Sequence, residues 1–176
     1  YGENAPQHIG AYVREIKSAL KTQRTHGFCP ATRRMVNSVM KDKGKVDLRF
    51  CMAFPDVYEI GMSNLGMMIL YNMFNEREDV WCERVFSPWM DLDKIMREEH
   101  IPLFALESQE PVKEFDFLGI TLGYEMCYTN VLQILDLSHI SLLAKDRKED
   151  DPIVIGGGAC AYNPEPIAEF LICLYW

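Results

Sequence analysis

The sequence predicts an α/β protein, a doubly wound and mostly parallel sheet of about five strands. Two observations carry this. Short β-branched and apolar runs bounded by turn residues alternate with longer stretches of helical apolar spacing. The clearest run, Ile153-Val154-Ile155, also empties into Gly156-Gly157-Gly158, as strands do where an open sheet builds a ligand crevice at its carboxyl edge. The glycines remove Cβ atoms where a phosphate or ribose can approach the backbone, and any parallel strand also needs a tight turn at its end. A proline-started helix is expected after Asn163-Pro164.

In chain order, His8–Gln23 places Ile9, Tyr12, Val13, Ile16, Ala19 and Leu20 along one side of a helix, with Arg14, Lys17 and Lys21 on the other. Thr25–Lys45 reads as a basic linker with an extended piece near Met35–Met40, so the chain divides into a head, 1–45, and an α/β domain, 46–176. Val46–Phe54 is the first strand, ended by Pro55-Asp56. Asn64–Phe74 is a helix, with Ser63 or Asn64 as its N-cap. Val80–Phe86 is a strand, Met90–His100 an amphipathic helix, and Leu103–Leu106 a brief strand. Asp116–Leu122 is an inner strand, Tyr128–Ser138 a helix, and Phe170–Trp176 a last strand or a poorly anchored tail. Alternation with right-handed crossovers makes the domain flavodoxin-like or Rossmann-like. Met62, Met67, Met68 and Met73 recur on one helix and read as core packing.

The 176 residues carry a net charge of −8, unevenly spread. Residues 1–49 hold ten Lys/Arg against four Asp/Glu, a net of +6, which leaves −14 for the remainder. An acidic body argues against nucleic acid as the main partner, although the basic head suits RNA or an acidic neighbour. No apolar run reaches the roughly 20 residues that span a bilayer, and no secretory signal is visible, so a cytoplasmic location is expected. Six cysteines lack any C-x-x-C pair and lie in apolar stretches, which predicts reduced, buried thiols. The chain opens on Tyr1 and closes on the apolar run Phe170–Trp176, and reads as a fragment that is C-terminally truncated.

Ligands of such sheets bind where loops leave the carboxyl ends of the strands. Three loops therefore carry the candidate site: Pro55–Gly66, Thr121–Asn130 and the triple-glycine turn. Within them Ser63, Asn64, Gly66, Thr121, Tyr124, Gly156, Gly157 and Gly158 are the candidate cofactor-binding residues. Their glycines do not form G-x-G-x-x-G, which weakens a nicotinamide or flavin reading. Glu59 and Glu125, both at strand tips, are an alternative acid–base pair, with carboxylates bonded to loop amides as the simpler reading. No catalytic residue and no metal ligand is assigned within the chain.

Five blocks in order carry a resemblance: Phe54–Gly66, Cys82–Trp89, Ile101–Ser108, Tyr124–Leu132 and Gly157–Pro166. Together they resemble the N-terminal, cobalamin-binding-like region of a radical S-adenosylmethionine (radical SAM) protein family of unassigned activity. The resemblance implies a domain that holds a corrinoid, or a substrate, against a downstream barrel carrying a [4Fe–4S] cluster and S-adenosylmethionine. The C-x-x-x-C-x-x-C run for that cluster is absent from these residues, so radical chemistry needs the downstream domain and the chain alone is expected to be inactive. Where cobalamin domains use D-x-H-x-x-G, this sequence reads Glu59-Ile60-Gly61-Met62-Ser63-Asn64-Leu65-Gly66, which offers no imidazole. A domain that keeps the fold without the cofactor, as an interaction or substrate-recognition module, is the competing reading.

Overall fold

The computed structural model describes residues 38–175. The predicted helix of the head, most of the basic linker and Trp176 lie outside the described residues. Five parallel strands form one sheet: β1 (Leu48–Phe54), β2 (Val80–Phe86), β3 (Phe117–Thr121), β4 (Ile153–Gly157) and β5 (Cys173–Tyr175), in spatial order β2-β1-β3-β4-β5. This is the flavodoxin-like order of a doubly wound sheet. β1, β3 and β4 are neighbours at its centre, with Phe50 opposite Phe117 and Phe117 opposite Ile153, so the run read as an inner strand, Asp116–Leu122, is one. Four helices accompany the strands: the single turn α1 (Tyr58–Gly61), then α2 (Leu65–Glu76), α3 (Met90–Glu98) and α4 (Tyr128–Leu137).

Strand alternation divides the core into two layers. On one face Cys51, Ala53, Val85, Leu118, Ile120 and Val154 meet Leu92 and Met96 of α3 and Val131, Ile134 and Leu135 of α4. On the other, Phe50, Met52, Phe54, Val80, Cys82 and Phe86 meet Met67 and Tyr71 of α2. Gly119 sits where a Cβ would lie 2.5 Å from the Phe50 ring, so only glycine lets Phe50 stack between Phe74 and Phe117 at centroid distances of 4.7 and 6.0 Å. Cys51, Cys82, Cys127 and Cys160 are buried free thiols.

Strand β2 lies at the sheet edge, yet every one of its residues is buried. Its outward backbone groups are met by groups that belong to no strand. Lys41 Nζ donates to the Val80 carbonyl at 2.6 Å, and the Asn75 side chain bonds both the N–H and the carbonyl of Cys82. Glu107 Oε2 accepts from Arg84 N–H at 2.8 Å, while Leu106 N–H donates to the Arg84 carbonyl at 2.7 Å. An edge covered this way cannot template another strand.

Three expectations are corrected. Leu103–Leu106 is not a strand of the sheet: it makes a single antiparallel bridge, Phe104 to Pro111, and Leu106 is used to cover the β2 edge. Pro164 starts no α-helix, since residues 159–170 form two 3₁₀ turns, Ala159–Tyr162 and Ala168–Phe170, which is the tighter geometry short apolar segments adopt. Of the methionines read as core, Met67 is 2% exposed but Met73 is 51% exposed, because α2 is apolar all round and only one side of it meets the sheet.

Candidate functional site

The loops after β1, β3 and β4 all leave the carboxyl edge, and they are bonded into one platform. Tyr124 Oη donates to Asp56 Oδ2 at 2.9 Å, and Asn130 Nδ2 donates to the Pro55 carbonyl at 2.9 Å, tying the β3 loop to the β1 loop. The acceptor Asp56 stabilises the protonated phenol and holds the Tyr124 pKa above its ordinary value. Leu122 N–H donates to the Gly157 carbonyl at 2.6 Å and Cys160 N–H to the Leu122 carbonyl at 3.0 Å, which ties the β3 loop to the β4 loop. Ser87 N–H donates to the Asp56 carbonyl at 3.0 Å and brings in the end of β2.

Several candidate residues have structural work within this platform. Asn64 is the N-cap of α2: its Oδ1 accepts from Met67 N–H at 2.9 Å, satisfying one of the helix's orphan donors. Ser63 Oγ donates to the Ile60 carbonyl at 2.7 Å. Gly158 has φ of 125°, and a Cβ there would meet the Leu122 carbonyl oxygen at 2.6 Å, so its glycine is demanded by the neighbouring backbone itself. Thr121 ends β3 opposite Gly157, and Gly156 is buried in β4. Gly66 is exposed at the start of α2, where a Cβ would touch nothing nearer than Asn64 Oδ1 at 3.3 Å. Glu59 and Glu125 are both exposed, on α1 and on the 3₁₀ turn before α4, and no hydrogen bond or ion pair joins them among the described residues.

Large apolar side chains crowd the same edge. Ile60 and Leu65 after β1, Trp89 and Met90 after β2, Tyr124 and Met126 after β3, and Tyr162 after β4 are all exposed. They make up seven of the fourteen exposed large hydrophobics among the described residues, although these loops are a minor part of the chain. Sequence reasoning passed over Trp89, Met126 and Tyr162, and also Asp56, whose placement directly after the β1 tip was the available signal. Beneath the loops Cys127 and Cys160 are buried, and burial pushes the Cys127 thiol up. The buried Tyr128 hydroxyl, beside Cys160, has no hydrogen-bond partner of good geometry. A cavity of about 250 Å³ lined by Leu143, Ala144, Lys145, Ala168 and Glu169 lies instead before the amino ends of β4 and β5.

Two ionic clusters, buried or half-buried, stand apart from the platform. Arg84 Nε meets Glu107 Oε1 at 2.7 Å while its guanidinium covers the Tyr71 ring, and Arg49 bridges Glu83 and Glu110 at 2.7 and 2.6 Å. Burial raises the Glu107 pKa in spite of Arg84. Both clusters lie along β1, β2 and the 107–110 loop, where they hold that loop against the sheet edge. Among the described residues no group of three or more His, Cys, Asp or Glu is placed to hold a metal ion, and no helix is long and apolar enough to cross a membrane.

A parallel sheet in the order β2-β1-β3-β4-β5 with a bonded loop platform at its carboxyl edge defines a doubly wound α/β domain. The family described as radical SAM proteins, N-terminal, matches residues 66–175, and the chain belongs to it. The chain is 28% identical over 120 residues to the uncharacterised protein MJ0966 of Methanocaldococcus jannaschii, an alignment covering 66% of this chain and 21% of that protein. It thus spans about a fifth of the length of the curated relative it matches. No solved structure matches it.

Proposed function

We propose that this domain presents its carboxyl edge as a binding platform, holding a corrinoid or a substrate against the catalytic barrel of a radical SAM protein. The observation that carries this reading is the concentration of exposed Trp89, Met90, Tyr124, Met126 and Tyr162 on loops that are otherwise tightly bonded together. A rigid, apolar and aromatic rim suits a large flat ligand, because little side-chain freedom is lost when it is covered. Gly66, Thr121 and Gly156–Gly158 would lie along the ligand's path, with Tyr124 fixed by Asp56 at its rim.

The donor set tests how a corrinoid would fit. The β1 loop supplies no imidazole, and its side-chain amide, Asn64, is committed to capping α2. No protein ligand to cobalt is offered there, so a corrinoid would be held by shape and loop contacts alone. When bound it would supply methyl or electron transfer; the chain's own part is orientation and exclusion of water. The [4Fe–4S] cluster and S-adenosylmethionine belong to the barrel in this reading, which makes that barrel the domain's first partner.

A second reading, a cofactor-free interaction or recognition module, is favoured by one set of contacts. Asn64, Ser63 and Gly158 each have a structural partner, so their presence needs no ligand to explain it. Titration with hydroxocobalamin, followed by corrin absorption and by pigment retained through gel filtration, separates the two. A retained chromophore that Gly123→Trp abolishes supports the platform as a corrinoid site; no spectral shift and no retained pigment leave the cofactor-free module.

A further inference from the structure

The two faces of the sheet are unequally covered. Helices α3 and α4 pack on one face, where Leu118, Ile120 and Val154 are buried. On the other, among the described residues, α2 covers β1 and β2 with help from Val39, Tyr58 and Met62, and the residues of β3 and β4 that point to this side are only half-buried or exposed: Phe117, Gly119, Thr121, Ile153 and Ile155. Ile153 is 43% exposed, and Leu70 and Met73 are exposed along the flank of α2 nearest this floor, beyond Phe74. A wall of α2 side chains against an apolar floor of two strands is a seat of helix width. Parallel sheets of this kind are covered on both faces.

We propose that the segment His8–Gln23 occupies this seat as an amphipathic helix. It goes beyond the function proposed for the carboxyl edge and does not depend on what binds there. Three observations single out this segment. Its stripe of Ile9, Tyr12, Val13, Ile16 and Leu20 has the spacing of a helix that buries one side. The chain enters the described region at the flank of α2, where Val39 N–H donates to Tyr71 Oη at 2.8 Å and Arg84 Nη2 to Ser38 Oγ at 3.2 Å. The fourteen residues 24–37 then separate this anchor from Gln23. Extended, such a linker reaches about 46 Å, against roughly 14 Å from β2 to β4 and about 10–12 Å for passing over α2. Finally, residues 1–49 carry +6 and the remainder −14, a net attraction between head and body that one reversed charge on the water-facing side of the segment leaves in place.

The experiment is thiol labelling of Ile153→Cys, read by mass spectrometry at that residue in the intact chain, in the chain lacking residues 1–23, and in Ile16→Asp and Arg14→Asp. The buried Cys51, Cys82, Cys127 and Cys160 report any unfolding in the same sample. Docking predicts labelling at residue 153 at least tenfold faster in the deletion and in Ile16→Asp, with Arg14→Asp unchanged and the buried thiols silent. If the deletion exposes the buried thiols, the comparison of Ile16→Asp with Arg14→Asp decides. Equal labelling in all forms overturns the proposal, as does protection that survives the deletion, which would mean another segment covers the face. Protection that fades on dilution of the intact chain also overturns it, in favour of a second copy.

Discussion

Asn75 stands in for a β-strand opposite Cys82: its Nδ2 donates to the Cys82 carbonyl at 2.9 Å, and its Oδ1 accepts from the Cys82 N–H at 3.1 Å. One side chain, seven residues upstream on α2, thus completes the ladder that an edge strand leaves open. Substituting Asn75 by Leu removes both bonds while keeping the volume. Two backbone groups of a fully buried residue would then be left without partners, at a cost of about 1–3 kcal/mol each. Chemical denaturation should show a loss of about 2–5 kcal/mol; an unchanged midpoint would mean that water reaches the edge.

Arg84 and Glu107 form the buried pair that holds the other half of that edge. Glu107→Leu leaves a buried guanidinium without its carboxylate and is expected to cost about 3–5 kcal/mol, whereas Arg84→Met combined with Glu107→Leu should cost less than the single change. A double-mutant cycle by urea denaturation measures the difference. Additive losses would show that the two charges do not act as a pair.

Two glycines of the platform separate structural from ligand roles. Gly158→Ala places a Cβ against the Leu122 carbonyl and in a disfavoured φ, and should destabilise the fold by roughly 1–3 kcal/mol with no ligand present. A Cβ at Gly123 would meet nothing within 4 Å, so Gly123→Ala should shift stability by less than about 0.5 kcal/mol. Thermal melts of both variants, without additions, check the contrast.

Glu110 supplies a pH signature. Burial opposes its charge, but Lys43 and Arg49 outweigh burial and hold its carboxyl below the ordinary value of 4.5. A carboxylate with a depressed folded pKa adds stability above its unfolded pKa and loses it as pH falls through the folded value. The stability gap between the native chain and Glu110→Gln should therefore be full at pH 6–7 and shrink below about pH 4.5. Denaturation curves from pH 7 to pH 3 follow it; a gap constant over that range would contradict the pairing.

How far these features can be read from the chain depends on their range. Val80–Phe86 is bounded in the fold by the same residues that bound its apolar run, and α2 begins after Asn64 because a cap is a local signal. Leu103–Leu106 has strand composition, but its partner is Pro111 and the β2 edge, and composition cannot say which backbone a segment will meet. Arg84 and Glu107 are 23 residues apart and leave no period in the sequence. The three candidate loops could be assigned to one edge from strand direction alone. That Asn64 and Gly158 would be occupied by their own neighbours could not, since both uses select the same residue types.

The sealing of β2 gives the sheet a direction of growth. With Lys41, Asn75, Glu107 and Leu106 occupying the outward groups of one margin, any strand that joins this sheet from elsewhere must enter beside β5. Recruitment of further chain is thereby confined to one margin, that of the strand latest in sequence among the five, and the margin opposite is closed to domain swapping and to edge-to-edge pairing alike.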